Sequence, residues 1–220
     1  MCGKFTQLAS WQEVVAFSQP LTVSSGREEV VVATPMRFAN ILRLDATGKR
    51  EVVAMRWGFA GKGDINPSRP KHMHARAETI DTKPTFAQSF RNGRGILLVH
   101  TFNEGEELLN GKTKQWVITP NDGKPIAIAV ICEEWRNGAE TLQTFIQVTV
   151  PANPLILRIT DRMPAILRPE DWPLWLGETE ASAADVKAVL RTYDDDGAWT
   201  MNPQERKTRS PVSKQQARLI

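Results

Sequence analysis

The chain has 220 residues, 41% hydrophobic and 24% charged, with a net charge of +3, which is ordinary for one globular domain with a proper core. No stretch of about 18 apolar residues suggests a membrane span, and the start has no apolar run of signal-peptide length. Two cysteines, Cys2 and Cys132, cannot make a disulfide framework and have no zinc spacing, so no metal and no cofactor are expected, and the cytoplasm, where Cys2 stays a free thiol, is the expected location. The small positive charge leans toward a polyanionic partner.

Residues 10–18 read as a short helix with Ser10 as N-cap and Glu13 at the capping-box position. Strands are predicted over 30–33, 38–44 and 52–57, the last two joined by turn chemistry at Ala46-Thr47-Gly48. Residues 61–70, rich in Gly and Pro, are loop. A helix over 84–91 opens on Pro84, whose fixed φ suits a first turn. Strands follow over 95–101, 115–119, 126–132 and 144–150, with hairpin turns at Asn110-Gly111 and Asn121-Asp122-Gly123-Lys124. Cys132 closes an apolar run and reads as a small buried hydrophobe. Helices are predicted over 169–176 and 181–191. Seven Trp against one Tyr point to core and groove packing. The stretch from Asn202 carries Arg206, Lys207, Arg209, Lys214 and Arg218 against Glu205, a solvated terminus or a binding element. There is no internal repeat and no strict strand–helix alternation. The expected fold is α+β: one domain over 1–220, with a mainly antiparallel, barrel-like sheet and a few flanking helices.

Cys2 carries distinctive chemistry once Met1 is removed, as cytoplasmic aminopeptidases do before small residues. Its α-amine then has a reference pKa of about 7.7–8.0 and its thiol about 8.5, so both nucleophiles are available near neutrality. With an aldehyde the amine forms a Schiff base, and the neighbouring sulfur closes a five-membered thiazolidine ring. No internal Cys or Lys can make that ring. Without further context, Cys2 reads as an incidental residue at a chain terminus.

The context is a set of segments in order. Met1-Cys2-Gly3-Lys4-Phe5 opens the chain, and Arg56-Trp57-Gly58-Phe59 and His74-Ala75-Arg76-Ala77-Glu78-Thr79 follow. Phe86, Phe90-Arg91 and Arg94 precede a strand that ends in Phe102-Asn103-Glu104. Thr149-Val150-Pro151-Ala152-Asn153 leads into Thr160-Asp161-Arg162-Met163-Pro164-Ala165-Ile166-Leu167, and Pro211-Val212-Ser213 comes near the end. The set resembles the SOS-response-associated peptidase (SRAP) family from residue 1 to about 213. Lys4 stands where the family has Arg, His74 where it has Asn, and Thr160 where it has His.

The resemblance implies an α+β SRAP fold and a monomer that binds single-stranded DNA and captures abasic sites covalently through Cys2, with self-removal of Met1 as the peptidase activity. It implies catalytic roles for Cys2, Glu104, His74 and Thr160. Glu104 would take the proton of the α-amine; by residue type alone it is equally a solvated loop carboxylate beside Glu106 and Glu107. His74 can donate or accept a hydrogen bond, though one tautomer cannot do both jobs of an amide. Thr160 has no group that titrates near neutrality, so proton transfer is either moved to His74 or slowed. Lys4, Arg76 and Arg162 are the expected phosphate ligands, Lys4 without the fork of an Arg. Arg162 alternatively forms a salt bridge with its neighbour Asp161. Trp57 and Phe59 stack on bases or pack in the core. Two other classes compete: a DNA-binding protein without covalent chemistry, and a cysteine hydrolase pairing Cys2 with His74.

Overall fold

The computed structural model describes residues 3–7, 31–60, 65–195 and 197–204. Twelve strands and three α-helices are found there, and the predicted helix over 10–18 lies outside it. The first strands are β1 (Lys4–Gln7), β2 (Val31–Ala33), β3 (Phe38–Leu44) and β4 (Arg50–Trp57). β3 and β4 form the predicted antiparallel hairpin, closed where Asp45 N–H donates to the Lys49 carbonyl at 2.8 Å. Next come β5 (His74–Arg76), helix α1 (Pro84–Asn92), β6 (Arg94–Val99), β7 (Thr101–Glu107) and β8 (Thr113–Pro120). The chain continues through β9 (Ile126–Asn137), β10 (Glu140–Pro151), β11 (Arg162–Pro164), helices α2 (Trp172–Leu176) and α3 (Ala183–Ala188), and β12 (Trp199–Pro203).

Five of these strands close a barrel in the order β10-β4-β3-β6-β9 and back to β10, all antiparallel except β10 with β4. The expected α+β, barrel-like, mainly antiparallel fold is what the chain adopts. Fully buried Ile41, Met55, Leu97, Ile128 and Ile146 come from all five strands. Burying each such side chain contributes about 1.5–3 kcal/mol relative to exposure. A second sheet, β12-β8-β7-β1-β2, packs beside the barrel. Gln7 sews the two together. Its buried carboxamide donates to Leu98 O at 3.0 Å and Asn40 O at 3.3 Å, and accepts from Asn40 N at 3.2 Å.

Three sequence expectations are corrected. The strand expected over 95–101 is two strands in different sheets, because the chain leaves the barrel at His100, whose N–H donates to Thr6 O at 3.0 Å. The turn at 121–124 joins no hairpin: β8 pairs with β7 and β12, whereas β9 pairs with β6 and β10. The helix expected over 181–191 covers only Ala183–Ala188, opened by a Ser182–Asp185 capping box. The predicted segment over 169–176 is a 3-10 turn running into α2.

Helix α1 anchors the wall above the site. Pro84 sits in its first turn, and Phe86 and Phe90, one turn apart, bury the same face. Arg94 closes its end, with Nη1 donating to the Phe90 and Arg91 carbonyls at 2.9 Å each and Nε to Trp175 O. Among the described residues no helix is long and apolar enough to cross a membrane.

Candidate active site

The site is organised by β10. Along one edge its first half pairs with β4 and its second half with β5, so Phe145 lies opposite Trp57, Gln147 opposite His74, and Thr149 opposite Arg76. Residues paired across a ladder share a face, and side chains alternate along a strand. One row therefore presents Trp57, Phe145, His74, Gln147, Arg76 and Thr149 together. Gly58 bends the chain out of β4 at φ +116°, its N–H donates to Phe145 O at 2.8 Å, and a Cβ there would lie 2.7 Å from Pro70 Cβ. No residue with a side chain fits that conformation.

Above the row lies a cavity of about 430 Å³, lined by His72, His74 and Arg76 from the β5 segment, by Lys83, Thr85 and Phe86 at the start of α1, and by Thr149 and Arg162. No carboxylate lines it among the described residues, so it is suited to an anion. Burial, then the charges of Lys71 and Lys83, hold the His72 imidazole below its ordinary value. Its ring meets Phe86 edge-on at 5.3 Å.

Arg162 lines this cavity but is committed elsewhere. Its guanidinium forms a two-pronged pair with Glu78, with Nη2 to Oε2 at 2.9 Å, and Nη2 donates to Thr149 O at 2.7 Å. The partner is Glu78 of the His-Ala-Arg-Ala-Glu-Thr segment, not the neighbouring Asp161. Arg162 holds the Glu78 carboxyl below the usual carboxylate range.

Glu104 stands on the second sheet, in β7. The pairing of Lys4 with Asn103 and Phe5 with Phe102, carried one residue back, sets Gly3 opposite Glu104. Glu104 is completely buried, so it is a strand residue of the interior and not a solvated loop carboxylate. Phe5, on the same sheet, has its ring 5.3 Å from Trp57, which meets His74 edge-on at 5.8 Å. That chain of rings joins Glu104's sheet to the barrel wall bearing His74.

The remaining expected site residues divide. Arg76 is exposed and Lys4 half-buried. Trp57 and Phe59 are fully buried, and Trp57 stacks on Phe145 at 6.3 Å while its indole N–H donates to Met73 O at 3.0 Å. They pack and leave no face for a base, so Trp57 is corrected from a DNA contact to a wall of the site. Thr160 is half-buried, its N–H donates to Ile156 O at 3.1 Å, and it does not line the cavity. Cys2, and the basic tail from 205 on, lie outside the described residues. Cys132 is buried as expected, its thiol pushed up to about 12 by burial. His72, Lys83 and Thr149 were not foreseen; the i, i+2 spacing of His72 and His74 was the available sign. Asn153 is structural, with its side chain accepting from Ile156 N at 3.0 Å and donating to Tyr193 O at 3.1 Å. Among the described residues no cluster of three or more His, Cys, Asp or Glu could hold a metal.

A family model described as SOS response associated peptidase (SRAP) matches residues 1–210. The chain is 28% identical over 202 residues to "Abasic site processing protein YoqW" of Bacillus subtilis (strain 168), covering 89% of each chain. It is 26% identical over 203 residues to "Abasic site processing protein YedK" of Escherichia coli (strain K12), covering 86% of this chain and 85% of that one. Among solved structures, a Bordetella bronchiseptica protein superposes with a TM-score of 0.76 at 21% identity, covering 93% of this chain and 100% of that one. A Bacteroides thetaiotaomicron protein gives 0.75 at 21%, covering 93% and 92%.

Proposed function

The chain belongs to the SOS response associated peptidase (SRAP) family, and on that premise we propose that it processes abasic sites in single-stranded DNA by a covalent link to Cys2. The observation that carries this reading is the β1–β7 register, which sets Gly3, the residue after Cys2, opposite the buried Glu104. Relatives named abasic site processing proteins support the substrate.

Hydrolysis of the bond after Met1, by the chain itself or by an aminopeptidase, frees the Cys2 amine. The neutral amine adds to the ring-opened aldehyde of the abasic sugar, water leaves, and a Schiff base remains. Cys2 Sγ then adds to the imine carbon while its proton passes to the nitrogen, closing the thiazolidine with one water lost overall. Glu104 moves the proton between the amine and the departing hydroxyl. His74 holds the sugar, and Arg76, Lys83 and Lys4 meet flanking phosphates, which makes binding salt-dependent. Arg162 acts by keeping Glu78 and Thr149 in place and contributes its charge to the cavity. The protein works as a monomer in the cytoplasm, where Cys2 stays reduced.

The test is a denaturing, reducing gel of the protein mixed with an abasic single-stranded oligonucleotide. A heat-stable shifted band that Cys2→Ala abolishes is expected; binding without such a band would sink the proposal. That outcome would leave a second reading, non-covalent DNA binding by a weakened site, which the hydroxyl of Thr160 in place of an imidazole favours. A Thr160→His variant refines the result. No gain in cross-linking rate supports proton transfer rewired to His74, whereas a gain identifies the missing imidazole as limiting.

A further inference from the structure

The cavity above the β10 row gathers cations, and not all of its groups hold their charge at every pH. His74 and Arg76 of β5 line it with His72, two residues ahead of that strand, while Lys83 lines it from the start of α1 and Arg162 from β11. The carboxylates that follow β5 in the chain are engaged elsewhere. Glu78 takes the Arg162 guanidinium on both oxygens, and Asp81, two residues before Lys83, accepts from Lys187 Nζ at 2.7 Å. Arg76 and Lys83 are exposed, and His72 is half-buried. The His72 backbone is fixed by Phe59, whose N–H donates to His72 O at 2.9 Å. Its ring stands edge-on to Phe86 of α1 at 5.3 Å and 84°, which seats the imidazole in the cavity wall.

We propose that His72, together with Lys83, is a ligand for a backbone phosphate of the bound strand, and that its ring takes up a proton as the phosphate seats. This rests on the reading of the cavity as the place of single-stranded DNA. In the free protein, burial and the charges of Lys71 and Lys83 oppose a charge on the imidazole. A phosphate offsets the neighbouring positive charge, and both nitrogens of the protonated ring donate to it. Lysine and arginine stay charged through the neutral range, so among the residues lining the cavity the histidines alone couple binding to pH. The unbound ring titrates below its ordinary 6.5, and the phosphate raises that value. Affinity therefore grows as pH falls from the bound value to the unbound one, by at most about tenfold per pH unit, and levels off beyond either.

The test is binding of an intact, fluorescent oligothymidine to the full-length protein at constant ionic strength, in phosphate-free buffer. Intact DNA has no aldehyde, so seating is read without the covalent step. The parent is expected to bind about fivefold tighter near pH 6 than near pH 7.5. His72→Gln should remove that dependence, and His72→Lys, whose charge persists, should bind at the neutral end as the parent does at the acid end. A slope retained in folded His72→Gln, or absent from the parent, overturns the proposal. Should the variants fail to fold, the ¹⁵N shifts of the His72 ring in the parent decide. Their titration midpoint should rise when the oligonucleotide is added, and an unmoved midpoint overturns the proposal. So does a midpoint raised by inorganic phosphate at the same ionic strength but not by the oligonucleotide, the mark of a free-anion site. Cross-linking of an abasic oligonucleotide is scored separately. A pH-linked parent without a cross-link leaves His72 standing and removes the covalent reading; a cross-link with no slope does the reverse.

Discussion

Removing the carboxylate of Glu78 measures how far the frame of the site hangs on one ion pair between residues 84 positions apart. Arg162 is 10% exposed at its side chain and Glu78 is 48% exposed. Two unit charges about 4 Å apart attract by roughly 1 kcal/mol in water and roughly 4 kcal/mol at the effective dielectric of a protein surface. Half of Glu78 is in solvent, so the lower part of that range applies. The arginine left behind is nearly buried and loses two charge-assisted hydrogen bonds, which adds to the loss. Glu78→Ala is therefore expected to cost about 2 kcal/mol, and Glu78→Gln, which keeps one acceptor, about 1 kcal/mol. Urea unfolding at neutral pH, with an unchanged slope against denaturant, reads these values. The pH dependence has a definite sign. The hydrogen bonds from Arg162 lower the folded Glu78 carboxyl below its ordinary 4.5, so the stabilisation is complete above that value and is lost as pH falls through the folded one. The gap between parent and Glu78→Ala should shrink as pH drops below 4.5. Equal midpoints at neutral pH, or a gap that widens in acid, would refute this reasoning.

Three further outcomes are expected. Gly58→Ala should lower stability by about 2–3 kcal/mol, since it combines a strained positive φ with a clash against Pro70; an unchanged melting temperature contradicts the account of the turn. In a Cys2→Ala variant the thiol of Cys132, pushed up to about 12 by burial, should resist a disulfide reagent in native buffer and react once in denaturant; rapid native labelling would show that it is not sealed. Glu104→Gln keeps the shape of the buried side chain and removes its charge, so cross-linking should slow about 10²–10⁴-fold with DNA binding retained. An unchanged rate would remove Glu104 from proton transfer.

The parts of this fold that are legible in sequence are those whose periodicity lies within one element. The β3–β4 hairpin shows alternation around an Asp-Ala-Thr-Gly turn, and α1 announces itself by Pro84 with Phe86 and Phe90 on one face. β5 and β11 are three residues each and depend on β10 for their ladders, so no local pattern marks them. β7 is hidden for another reason. Asn103-Glu104-Gly105-Glu106-Glu107 reads as solvent-exposed loop, and only the pairing with β1 and β8 shows that Asn103 and Glu104 are interior. The same holds for Arg162. Its neighbour Asp161 is the partner that sequence proximity offers, and Glu78 is the one that tertiary structure delivers. An aromatic such as Trp57 can stack on a base or fill a core by residue type alone, and here Phe5, Phe145 and His74 occupy its surroundings.

The segments that carry the family resemblance serve two physical purposes, framing the sheets and lining the cavity. Trp57, Gly58, Glu78, Asn153 and Arg162 hold the barrel and its appended strands in register through buried packing, a positive φ, an ion pair and side-chain hydrogen bonds to backbone. All of these match. Of the substituted positions, His74 lines the cavity and meets Trp57 edge-on, Thr160 holds its place through its backbone N–H, and Lys4 pairs with Asn103 in the β1–β7 ladder. The β1–β7 ladder sets Gly3 opposite Glu104 through backbone pairing, and on the proposed route the side chains at 74 and 160 bear on proton transfer. On the proposed route Schiff-base formation needs an amine, an aldehyde and a base, and ring opening supplies the aldehyde, so an imidazole missing at position 160 bears on the rate of capture and of reversal, which the Thr160→His variant reads.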